Sequence, residues 1–369
     1  MSRENARCPY RLDTCVWELT LACTFSCAHC GSNAGRAMPN ELSFDEALDV
    51  ARQLADMVCR RVVLIGGEAF LFPGWQKVAR LMVDGGVDVS VITNGSCFTD
   101  RSWREIEESG VRHIALSIDG CREAHDAQRQ AGSFDAAIAG LRELKRRGYT
   151  ATVVTTLTQA NCADLEALCA ILEAEGADGW QLQLYAPIGG AGHGAGGCAD
   201  AGAADAPCTP SGICRTPTPQ QIRDIISFVV RTNERLAAAG SRMFVAAADN
   251  IGYFTADERR IRLLPGSCFP GCAAGLSVVG IDSCGNVTGC ESLRDPRFIE
   301  GNLRQRTLRS IWEDESSFAY NRKFSPADLK GACASCDVAA CCAGGCRSMN
   351  FYRTGDSLHC VTCVRDAAR

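Results

Sequence analysis

At 369 residues the chain is long enough for one large domain, a smaller one and a substantial buried core. A net charge of −5 gives no electrostatic footprint for nucleic acid or an anionic membrane, and no run approaches the ~20 apolar residues of a membrane span. Residues Met1 to Cys8 lack the apolar core of an export signal, so the expected location is cytoplasmic, where 24 cysteines favour metal or redox chemistry over disulfides.

Residues 17 to about 247 alternate strand-like and helix-like patterns. Strands are predicted at Trp17–Ala22, Arg61–Ile65, Val87–Ile92, His113–Ile118, Thr150–Thr156 and Gly179–Tyr185, all rich in Val, Ile and Leu. Ser43 with Glu46 forms a capping box that opens a helix running to Met57. Thr218, Pro219 and Gln221 open another, and Gly148 after Lys145-Arg146-Arg147 marks a helix end. Six such strand-helix units imply an α/β fold, a parallel sheet curled into a partial (β/α)6 barrel. The expected organisation is an N-terminal extension over 1–16, the barrel over 17–255 and a small cysteine-rich domain over 256–369. Residues 189–217, rich in glycine and carrying Cys198, Cys208 and Cys214, read as a long loop with inert cysteines.

Directly after the first predicted strand come Cys23, Cys27 and Cys30, spaced C-x3-C-x2-C. A four-iron cluster normally takes four cysteines, so three leave one iron open to bind something else. The alternative is a zinc site, which needs a fourth nearby ligand; His29 is wedged between two of the cysteines. The following strand ends carry Gly66-Gly67-Glu68, Thr93-Asn94-Gly95 and Ser117-Ile118-Asp119-Gly120. In open parallel sheets ligands sit at these carboxyl ends, and glycines there let backbone come close.

These motifs in this order, with His125-Asp126-x-x-Arg129 and Gly132-Ser133-Phe134, resemble the radical S-adenosylmethionine (SAM) superfamily over residues 17 to about 250. The resemblance implies that Cys23, Cys27 and Cys30 hold a [4Fe-4S] cluster whose open iron chelates SAM. Gly66, Gly67 and Glu68 would contact the methionine ammonium, with Asn94 and Arg129 also at the cofactor site. Ser117 and Asp119 would sit near the ribose or carboxylate, and His29 against the adenine. Ala69 stands where many members have proline.

The C-terminal array, Cys272-x12-Gly285-x4-Cys290 and then Cys333-x2-Cys336-x5-Cys342-x3-Cys346, with Cys360 and Cys363, resembles the SPASM domain. That resemblance implies two auxiliary [4Fe-4S] clusters, three in all with the SAM-binding one. Cys272, Cys290 and Cys346, with Cys268 as a fourth ligand, would hold the nearer; Cys333, Cys336 and Cys342, closed by Cys360 or Cys363, the farther. Cys284 and Cys341 read as non-ligands. Glu291 and Asp249 are candidate bases, and Gln183 and Tyr185 candidate pocket residues.

The implied activity is cleavage of SAM to a 5′-deoxyadenosyl radical that takes hydrogen from a ribosomally made peptide, giving an oxidative crosslink or related modification. Implied partners are that precursor peptide, an external electron donor of flavodoxin or ferredoxin type and a separate leader-binding protein; no nucleic acid and no membrane are expected. Competing readings are a sulfatase-type maturase, a cofactor-biosynthesis enzyme, and a non-enzymatic iron-sulfur electron carrier or redox sensor.

Overall fold

The structure, a computed structural model, describes residues 8–188, 213–262 and 269–365. Strands β1 (Thr14–Glu18), β2 (Arg61–Ile65), β3 (Asp88–Thr93), β4 (His113–Ser117), β5 (Thr150–Leu157), β6 (Gly179–Leu184) and β7 (Val245–Ala247) lie side by side in chain order, all parallel. Helices connect successive strands, as parallel pairing requires. They are α1 (Phe44–Asp56), α2 (Trp75–Asp84), α3 (Asp100–Ser109), α4 (Arg122–Gln128), α5 (Ser133–Arg146), α6 (Leu165–Ala174) and α7 (Pro219–Ala238).

Local chemistry explains the helix boundaries. The Ser43 side chain accepts from the Glu46 amide and Glu46 reaches back to the Ser43 amide, satisfying donors that α1 leaves open. Ala47, Val50, Ala51 and Leu54 then form the stripe that α1 buries. The same box at Thr218 and Gln221, with Pro219 in the first turn, opens α7. Gly148, at φ +78°, ends the turn after α5.

The structure shifts the first predicted strand and adds two features that the sequence reading did not include. β1 starts at Thr14, inside the expected extension, and ends at Glu18. Beyond Leu19, whose amide still bonds Ile65, the chain leaves the ladder because Thr20 and Ala22 are bound by the turn after β2. β7 is a seventh parallel strand, too short and alanine-rich to carry a periodic signal. The cysteine-rich region joins the same sheet. Its strand β8 (Val278–Ile281) pairs parallel to the free edge of β1, followed by antiparallel β9 (Asn286–Thr288) and β10 (Gly301–Asn302), making one ten-stranded sheet.

Among the described residues no helix is long and apolar enough to cross a membrane. Gly280 of β8 lets the Cys290–Glu291 backbone cross the strand, since a Cβ there would lie 2.3 Å from the Glu291 nitrogen. Gly280→Ala is expected to cost about 1–3 kcal/mol through overpacking, read as a lower urea midpoint at unchanged slope.

Candidate active site

The carboxyl ends of β1 to β6 converge on one side of the sheet, and the three-cysteine loop leaves from β1. Thiols of Cys23, Cys27 and Cys30 face one another. The Phe25 amide donates to Cys23 Sγ at 3.4 Å, the Ala34 amide to Cys30 Sγ at 3.4 Å, and Asn94 Nδ2 to Cys23 Sγ at 3.7 Å. Such donors suit thiolates. Burial pushes the Cys27 thiol up to about 11 despite Arg129 nearby, and metal coordination is what removes such a proton. Among the described residues no three His, Cys, Asp or Glu side chains converge on a single metal ion. Thiolates that bind different irons of one cluster stand farther apart than ligands of one ion.

The glycines after β2 approach the chain's own backbone. A Cβ on Gly66 would lie 2.3 Å from the Thr20 carbonyl, and one on Gly67 2.3 Å from that of Ala22. The Gly67 amide donates to Thr20 at 2.7 Å and the Glu68 amide to Ala22 at 2.8 Å, fixing the approach to the cysteine loop. Glu68 is buried, and its Oε2 accepts from Thr93 Oγ1 and the Asn94 amide, each at 3.0 Å. Oε1 is buried with no hydrogen-bond partner among the described residues, an opening that fits a ligand ammonium. Burial pushes the Glu68 carboxyl up to about 7.

Asp119 has 0% exposure and bonds to the protein itself. Its Oδ2 meets Arg129 Nε at 2.5 Å and His29 Nε2 at 3.0 Å, and Oδ1 accepts from the Thr156 amide at 2.8 Å. Burial raises its pKa, but Arg129 and then His29 outweigh that and hold it well below the usual carboxylate range. Asp119 therefore fixes His29, whose Nδ1 is buried without a partner. Ser117, half-buried, ends β4.

Next to this cluster lies a cavity of about 250 Å³. His29, Thr156, Gln183 and Tyr185 line it from the barrel side, and Cys290, Glu291, Arg294 and Cys346 from the auxiliary side. Arg294 pairs with Glu291 and with the buried Glu18 at the end of β1, and donates to Ser32 Oγ of the cysteine loop at 2.9 Å. Asp249 is exposed and does not line the cavity; its neighbour Asn250 does. Sequence reasoning missed Arg294 and Glu18, although a glutamate closing an apolar strand was a usable signal. Cys214 is buried and donates to the Ala28 carbonyl at 3.2 Å, whereas Cys198 and Cys208 lie outside the described residues.

Two further thiol groups form in the C-terminal region. Cys272, Cys290 and Cys346 neighbour one another, while Cys268 lies outside the described residues. Cys333, Cys336, Cys342, Cys360 and Cys363 all line one small cavity, so the structure brings both candidate closing cysteines to it. Cys341 is exposed, and Cys284 sits apart beside Asp282.

Residues 17–167 match the radical SAM superfamily, and residues 272–337 match SPASM, an iron-sulfur cluster-binding domain. The chain is 26% identical over 366 residues to an AdoMet-dependent heme synthase of Methanosarcina barkeri, covering 93% of each protein. It is 28% identical over 347 residues to the mycofactocin maturase MftC of Mycolicibacterium smegmatis, covering 91% of this chain and 78% of that one. Streptococcus suis SuiB, solved bound to S-adenosylmethionine, shares the fold with a TM-score of 0.74 at 15% identity, covering 97% of this chain and 78% of SuiB. SuiB has also been solved bound to its precursor peptide SuiA.

Removing the Asp119 charge would leave the Arg129 guanidinium buried and unpaired. Asp119→Asn is expected to destabilise the fold by about 3–5 kcal/mol in equilibrium denaturation, far more than the same change at exposed Asp249.

Proposed function

We propose that this chain, which is a radical SAM enzyme with a C-terminal SPASM domain, is a maturase that modifies a ribosomally made peptide. The observation that carries this reading is the cavity between the cysteine loop and the Cys272/Cys290/Cys346 group. Its volume is about 250 Å³, and a substrate group inside it would lie between His29 on one wall and Glu291 on the other. Its one guanidinium or ammonium among the described lining residues, Arg294, is already paired with Glu18 and Glu291.

Cys23, Cys27 and Cys30 would hold the SAM-binding cluster, and Glu68 Oε1 would receive the methionine ammonium. His29, fixed by Asp119, would meet the adenine. When bound, the cluster and SAM supply an electron-driven carbon–sulfur cleavage and the 5′-deoxyadenosyl radical that takes a substrate hydrogen. Glu291, held by Arg294 at the cavity wall, would receive a proton from the substrate. Two auxiliary [4Fe-4S] clusters complete a set of three, with the second substrate electron leaving through the cysteines on the far wall. A flavodoxin- or ferredoxin-type donor and a separate leader-binding protein complete the reading.

A second reading, cofactor biosynthesis on a tetrapyrrole, is favoured by the heme synthase relative that aligns with 93% of the chain. A polycarboxylate substrate needs free cations, however. The segment 189–212, outside the described residues, contains no Lys or Arg in its sequence.

Anaerobically reconstituted enzyme, given reductant, SAM and the small peptide encoded beside its gene, is expected to lower that peptide's mass by the loss of hydrogen. Conversion of an iron-coproporphyrin instead, with the peptide unchanged, would favour the second reading. Replacing Cys23, Cys27 and Cys30 together by alanine should abolish deoxyadenosine formation while iron falls from about twelve to about eight per chain.

A further inference from the structure

The Cys272/Cys290/Cys346 group has a buried cation beside it with no carboxylate to match among the described residues. Arg347, which follows Cys346, has 0% exposure. Its Nε donates to Asn321 Oδ1 at 2.9 Å and its Nη1 to the Ala343 carbonyl at 2.6 Å, both neutral acceptors. Nη2 is buried and makes no hydrogen bond. The Phe324 ring covers the guanidinium at 5.0 Å. Its main electrostatic neighbours are Cys272, Cys346, Cys342 and the Tyr320 phenol. Arginine cannot shed its proton, and a buried unpaired charge costs several kcal/mol, so an anion facing Nη2 would relieve that cost.

A second buried donor stands on the same side. The Tyr320 hydroxyl is buried, with the Gly289 amide against its oxygen, and among the described residues its proton has no acceptor. It sits over Gly289, where a Cβ would lie 2.0 Å from its oxygen, and its sulfur neighbours are Cys272 and Cys290. An edge contact to Phe298 at 5.3 Å holds the ring. Asn321 links both groups to the site: while its Oδ1 holds Arg347, its Nδ2 donates to the Cys272 carbonyl at 3.1 Å. Two unsatisfied donors, one of them charged, thus flank the same three thiols. The donor set fits an anionic iron-sulfur cluster.

We propose that Arg347 Nη2 and the Tyr320 hydroxyl are the hydrogen-bond donors to the cluster held by Cys272, Cys290 and Cys346, with Arg347 as its counter-charge. They are positioning residues that set this cluster's potential above that of the farther one. Reduction adds one negative charge to the cluster, which an adjacent cation and sulfur-directed donors stabilise. Of the farther site's thiols only Cys342 neighbours Arg347, and among the described residues the cation bonded there, Arg365, which donates to Cys336 Sγ at 3.6 Å, is already neutralised by Asp337 at the surface. The proposal rests on the auxiliary-cluster assignment above and not on the peptide substrate.

The test uses the full chain carrying Cys23→Ala, Cys27→Ala and Cys30→Ala, so that only the auxiliary clusters titrate. One electron per cluster enters from dithionite through mediators, with no bond made or broken, and the reduced clusters are followed by electron paramagnetic resonance. Tyr320→Phe is expected to lower the potential of one of the two signals, and Arg347→Gln to lower the same signal further. At a fixed potential the reduced-to-oxidised ratio should fall about tenfold in Arg347→Gln, equal to about 59 mV for a one-electron couple. Arg347→Lys should recover part of that shift, and the other signal, whose cluster meets Arg347 only at Cys342, should move much less.

Tyr320→Phe removes one oxygen and decides the matter if Arg347→Gln does not load iron. An unmoved potential in Tyr320→Phe at about eight irons per chain would overturn the proposal, as would an equal shift of both signals. A triple-alanine protein with no auxiliary iron would instead sink the cluster assignment, and an unmodified peptide would leave this result standing.

Discussion

β1 is hydrogen-bonded along both edges, to β2 on one side and to β8 on the other. The strand that launches the three-cysteine loop is therefore also the seam with the cysteine-rich region. Adjacent strands in a sheet lie about 4.8 Å apart, so the spacing between the loop and the Cys290 turn is set by backbone geometry and not by a flexible linker. Arg294 reinforces the seam by pairing with Glu18 at the end of β1 and with Glu291 beside Cys290. A chain cut near residue 255 would bare an apolar parallel strand that is buried on both edges here.

Much of this was legible in the sequence where the physics is local. The capping box at Ser43 and Glu46, the proline-opened α7 and the strand Arg61–Ile65 all follow from neighbouring residues. So does the gathering of the loop cysteines, because a C-x3-C-x2-C spacing leaves three thiols little freedom to separate. What stayed hidden depends on contacts between distant segments. β8 joins β1 across more than 260 residues, and Val278–Ile281 alone does not say which edge it will seek. Arg294 gives no local hint of Glu18, and Arg347 reads as an ordinary helical arginine until its burial is seen.

The motifs after the strands also serve a purpose that their spacing does not reveal. Gly66 and Gly67 admit the backbone of Thr20 to Ala22, and Asp119 spends both oxygens on His29, Arg129 and Thr156. Several residues read as cofactor contacts are thus first of all braces for the cysteine loop. Glu68 does both jobs, one oxygen bonded to Thr93 and Asn94 and the other left open.

That bracing gives the loop an anchor of its own. Small zinc domains fold only when the ion arrives, because nothing else orders their ligands. Here hydrogen bonds tie Thr20, Leu21 and Ala22 to Gly67, Glu68 and Glu41. All of these bonds fall just ahead of Cys23, so the point from which the three thiols depart is moored to the barrel itself and not to whatever those thiols bind.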